Sequence, residues 1–132
     1  MNYYFSKTVN GKFETIESKV KALLKHQGFG VLTEIDMKTT LKEKLNEDFR
    51  KYKILGACNP PFAFKALQAE DKIGTMLPYN VILQEHSHNK IEVSVINPMV
   101  SMTAVENSAL KAVAQEVSSK LENVINTLEN EK

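Results

Sequence analysis

Over the first ten residues, Tyr3, Phe5 and Val9 fall on one side of a two-residue alternation, with Ser6 and Thr8 on the other. That period describes a half-buried strand. Asn10-Gly11 breaks it. From Phe13 the apolar positions become Phe13, Ile16, Val20, Leu23 and Leu24. They form one stripe of an amphipathic helix, which leaves Glu14, Glu17, Lys21 and Lys25 expected to face water. Gly28 suits the left-handed residue that closes such a helix. Alternation resumes from Phe29 to Ile35 and predicts a second strand with Phe29, Val31 and Ile35 on a shared face.

Thr39 to Leu45 reads as a short helix that presents Leu41 and Leu45 one turn apart. Tyr52 to Cys58 has the character of a third strand and runs into Asn59-Pro60-Pro61. There Asn59 suits an N-cap and proline suits the first helical turn. Phe62, Ala63, Ala66 and Leu67 belong to the helix that follows. Past a loop through Asp71, Gly74 and Pro78, Asn80–Glu85 and Ile91–Ile96 flank the polar stretch His86-Ser87-His88-Asn89, a hairpin signal. From Asn107 onward Leu110, Val113, Val117, Leu121, Val124, Ile125 and Leu128 make the strongest helical stripe in the chain. The order is β-α-β-α-β-α-β-β-α. A closing hairpin demands antiparallel pairing, so the expected class is α+β: a curved, mainly antiparallel sheet with helices packed on one face.

The chain has 132 residues, which predicts one domain over 1–132. Seventeen basic residues oppose 16 acidic ones for a net charge of +1, so no broad field for nucleic acid or anionic membrane arises. No apolar run is long enough to span a bilayer. Met-Asn-Tyr-Tyr-Phe-Ser-Lys lacks the order of a secretory signal, and one cysteine makes no disulfide framework. The expected setting is cytoplasmic, with neither nucleic acid nor membrane as partner. An exposed sheet edge and a long apolar helical stripe lead us to expect a homodimer.

Candidate chemistry concentrates around Cys58. A cysteine between a strand end and a helix start feels the helix's positive end, which favours the nucleophilic and metal-ligating thiolate. The plain alternative is a small buried side chain. His86 and His88 are weak metal candidates, because a stable site needs three or four ligands. His26, in the last turn of its helix, complements the helix dipole. Glu34, Asp36 and Lys38 form a charged cluster at a strand end; such residues usually face solvent. Met76, Met99 and Met102 lie near prolines, where methionine more often fills core gaps than binds partners. Gly28-Phe29-Gly30 lacks the third glycine of a dinucleotide-binding loop, and no cofactor is specified.

Three ordered segments carry a family likeness. They are Gly28 to Leu45, Tyr52 to Ala63 with Ala66-Leu67, and Ile73-Gly74 followed by Leu77-Pro78-Tyr79-Asn80-Val81. Together they resemble the bacterial and archaeal domain-of-unknown-function family DUF302. The resemblance implies a TATA-binding-protein-like α+β superfold paired as homodimers. Only the fold is shared, so DNA binding is not implied. It also implies a second cysteine in a Leu-Pro-Cys-Asn-like motif, where this chain has Tyr79; an intramolecular dithiol is therefore ruled out. The expected function is a non-enzymatic, homodimeric small-ligand-binding protein. Its expected ligand-binding residues are Lys38, Cys58, Asn59, Pro60, Tyr79 and Asn80, drawn from loops where binding residues tend to sit. The alternatives are a thiol-dependent enzyme or sulfur carrier with Cys58 as nucleophile, and a structural subunit of a larger complex.

Overall fold

The computed structural model describes residues 2–132. Five strands form one sheet: β1 (Tyr4–Asn10), β2 (Gly30–Asp36), β3 (Tyr52–Cys58), β4 (Tyr79–Ser87) and β5 (Lys90–Ile96). Their spatial order is β1-β5-β4-β3-β2, and every neighbouring pair is antiparallel. The helices are α1 (Phe13–His26), α2 (Met37–Leu45), α3 (Pro60–Ala69), the single turn α4 (Pro98–Ser101) and α5 (Ser108–Thr127). The α+β class and the element order expected from the sequence are both present. A 3₁₀ segment, Asp71–Met76, and α4 are additions within regions read as loop.

Register divides the strand residues between two faces. Phe5, Val95, Val81 and Leu55 lie opposite one another across four strands, as do Val9 and Ile91. This face packs on α1 and α5, whose Ile16, Val20, Leu24, Leu110, Val117 and Leu121 are buried against it. The helical stripe read from Leu110 to Leu128 is buried throughout. Lys7 shares the packed face, and its Nζ donates to the Leu128 carbonyl at 2.6 Å, a cation at the C-terminal end of α5.

Two local features depart from simple patterning. The register of β2 on β3 shifts between Val31 and Thr33, a bulge that places Leu32 as an extra residue. An extra residue inverts the alternation beyond it. Val31 therefore stays opposite Ala57 on the packed face, whereas Ile35 lies opposite Ile54 on the open one. The shared face expected for Phe29, Val31 and Ile35 is thus broken. Glu17, expected in water, is buried because Lys21 and Lys53 both reach it, at 2.8 and 3.0 Å.

Gly28 ends α1 as expected. Its φ is +87°, the Phe29 N–H donates to the Leu24 carbonyl, and the Gly28 N–H donates to that of Lys25. That pair of bonds is a Schellman closure, sealed by buried Leu24 and Phe29. Among the described residues no helix is long and apolar enough to cross a membrane.

Candidate functional site

The residues expected to bind ligand do not form one hollow. Cys58 ends β3, half-buried, opposite Gly30. It lines neither the sheet-face groove described below nor the clefts beside α2, α3, α4 and α5. Asn59 precedes α3, but its side chain makes no cap; its amide instead donates to the Gln27 carbonyl at 3.2 Å and is buried against the turn after α1. Pro60 and Pro61 occupy the first turn of α3. Neither has an N–H, so the helix start presents few donors to a thiolate at Cys58. Tyr79 lies opposite Ala57 and is 3% exposed. Its hydroxyl is buried with no hydrogen-bond partner among the described residues. Burial, with a smaller contribution from the neighbouring Cys58, pushes the phenol up to about 12. Asn80, opposite Gly56, is exposed on the other face. Lys38 is remote from all of these. It follows Asp36, which lies opposite Lys53 toward the far end of β3, and its Nζ donates to the Phe49 carbonyl at 2.9 Å.

A different site emerges on the sheet face that no helix covers. Register sets two rows of side chains side by side there: Ile96, Ser94 and Glu92 from β5, and Asn80, Ile82 and Gln84 from β4. Same-face neighbours stand about 5 Å apart across strands and about 7 Å apart along them. The result is a floor that mixes two isoleucines with four polar residues. Tyr3 and Tyr4, ring against ring edge at 4.9 Å, bound the β1 corner, and Tyr52 bounds the opposite corner on β3. They enclose a groove of about 440 Å³.

The polar end of the groove is tightly ordered. Glu92 Oε1 accepts from Gln84 Nε2 at 3.2 Å and lies 2.8 Å from His86 Nε2; its Oε2 accepts from the Ser6 hydroxyl at 3.1 Å. Ser6 and Ser94 share a further bond at 2.8 Å. These partners, His86 foremost, hold the Glu92 carboxyl below the usual carboxylate range. Arg50 Nε donates to Gln84 Oε1 at 2.9 Å. Its guanidinium lies 4.3 Å from the Phe49 ring centroid and 5.8 Å from that of Tyr52. Asn80, in contrast, makes no side-chain hydrogen bond among the described residues, so its amide faces the groove with both donor and acceptor unengaged.

Of the two histidines considered for metal, His86 lies within β4 and is committed to Glu92, while His88 sits in the two-residue turn with Asn89. Among the described residues no three of His, Cys, Asp and Glu gather as a metal-holding group. No sequence motif marks this groove, because it is made by strand parity. The available signal was that Asn80, Gln84, Glu92 and Ser94 all interrupt apolar strands at the outward-facing positions.

A family model described as a domain of unknown function, DUF302, matches residues 5–128. No curated protein matches this chain. Among solved structures, an uncharacterised conserved DUF302 protein from Bacillus stearothermophilus superposes with a TM-score of 0.89 at 22% identity, covering 98% of this chain and 100% of that one. At that identity the likeness bears on the fold alone.

Proposed function

The chain belongs to the DUF302 family, and from that premise we propose that it is a non-enzymatic, homodimeric protein that binds a small ligand in the open-face groove. The carrying observation is the groove itself: a floor on which Ile82 and Ile96 alternate with polar side chains, the unengaged Asn80 amide among them, framed by three tyrosines. Concave sites where apolar surface meets a few placed polar groups are where small ligands bind. Binding is favoured over thiol catalysis because Cys58 stands outside the groove at a helix start poor in N–H donors. A lone thiol is in keeping with a reducing, cytoplasmic setting. The second copy has a part in this reading. A groove open on a sheet surface leaves much of a ligand in water, and a second sheet packed about 10 Å away would roof it.

Ligand-induced thermal shifts across a metabolite library test the proposal, with Ile82→Trp and Cys58→Ser run in parallel. Filling the floor at Ile82 is expected to abolish the shift produced by any hit, and Cys58→Ser to preserve it. A hit that survives Ile82→Trp moves the site elsewhere. One lost in Cys58→Ser favours the thiol reading.

A further inference from the structure

Arg50 is the only arginine among 17 basic residues. An exposed arginine ordinarily keeps its rotamer freedom or pairs loosely with a carboxylate. This one does neither. Its Nε is bonded to Gln84, its guanidinium lies over the Phe49 ring, and the Tyr52 ring centroid is 5.8 Å away. It takes part in none of the ion pairs among the described residues; nearby Asp48 is paired with Lys42 instead. The terminal N–H groups therefore remain a planar donor fork with no acceptor among the described residues. Such a fork matches the two oxygens of a carboxylate or phosphate.

Its position relates it to the groove. Gln84 and Tyr52, which hold Arg50, both line that groove. Arg50 is itself outside the groove lining, and Ile82 lies two residues from its partner Gln84 on the same face, about 7 Å along the strand. Glu92 is close enough for the arginine to help His86 hold its carboxyl down, but it makes no ion pair or hydrogen bond with Arg50 among the described residues. Its own contacts go to His86, Gln84 and Ser6, which leaves the terminal N–H groups free for a second anion. Resting on the groove reading above, we infer that Arg50 anchors an oxyanion, so the ligand carries a carboxylate or phosphate on a flat apolar body laid over Ile82 and Ile96.

The test is a ¹H–¹⁵N NMR titration of the full chain with benzoate, phenyl phosphate and the neutral isostere benzamide. Benzoate or phenyl phosphate is expected to shift the Arg50 Nε–H signal together with the Ile82 and Ile96 amides. Benzamide is expected to bind at least about tenfold more weakly, as is benzoate to Arg50→Lys, which keeps the charge but loses the planar fork. Equal binding of benzamide and the anions at Ile82 and Ile96 overturns the anchor while leaving the groove intact. An Arg50→Lys variant that binds like the parent overturns it too. Silence of all three probes at Ile82 and Ile96 removes both the anchor and the groove.

Discussion

Gly56 shows how narrowly some single positions are constrained. It lies mid-β3 opposite Thr33 and Asn80, and a Cβ there would stand 2.7 Å from Pro78 Cγ while also striking the Thr33 hydroxyl. Neither obstacle is the end of a long flexible chain, so the sheet itself would have to shift. Gly56→Ala is expected to destabilise the protein by about 1–3 kcal/mol, read from urea unfolding; an unchanged midpoint would refute this. Tyr79 presents the opposite case. Its hydroxyl is buried without a partner and adds desolvation cost but no bond. Tyr79→Phe is therefore expected to match or exceed the parent in stability, and a clear loss would mean that the hydroxyl has a partner. The same burial sets an alkaline limit. A phenol raised to about 12 in the folded state, from 10.0, stays protonated where the unfolded chain has begun to ionise. Stability is intact below pH 10.0 and falls as pH rises toward 12.

Helix α1 is tied to the sheet by an alternating charge cluster. Glu17 and Lys21 come from the helix, Glu34 from β2 and Lys53 from β3, and each lysine bridges both carboxylates at 2.8–3.2 Å. Hydrogen bonds from Lys21 and then Lys53 hold the Glu34 carboxyl down; bonds to Glu17, then Glu34, hold both lysines up. The depressed carboxylate contributes stability above its ordinary 4.5 that is lost as pH falls through its folded value. The raised lysines contribute stability below 10.5 that is lost as pH rises through theirs. The cluster therefore stabilises between those limits. Lys53 is 23% exposed, between a surface and a buried pair, so Lys53→Met is expected to cost about 1–2 kcal/mol near neutral pH and less in acid. A cost independent of pH would point to lost packing instead. The apolar stripes of α1 and α5 were legible because burial of one helical face leaves a 3.6-residue period. This cluster was not. Glu17 is polar by type, and its burial depends on a lysine 36 positions away that the fold brings beside it. Nor does alternation reveal the bulge at Leu32, since one extra residue looks like a continued strand while it sends Ile35 to the other face.

The whole molecule covers one face of its sheet and leaves the other uncovered. Across that open face, Ser6, Ser94, Ile82, Ile54 and Ile35 form a continuous row over all five strands. Ile35 is 45% exposed and Tyr4, at the β1 edge, 38%. Five strands about 4.8 Å apart, each of seven residues or more, give a face near 600 Å² in plan. Corrugated by side chains, it approaches the roughly 800 Å² that each partner buries in a standard dimer. The resemblance implied pairing but not a face; the face follows from parity, which brings these isoleucines together only once register and bulge are known. Ile54 stands beside Ile82 in the row but outside the groove lining, so a substitution there tests association without altering the floor of the groove. In Ile54→Lys the aliphatic stem can lie along the sheet while its ammonium reaches water, so the monomer should still fold. Sedimentation equilibrium is expected to find the parent dimeric and Ile54→Lys monomeric, with the far-ultraviolet circular dichroism unchanged. A monomeric parent at high micromolar concentration, or a variant that still dimerises, would show that the open face is not where two copies meet. The groove would then have to hold its ligand without a roof.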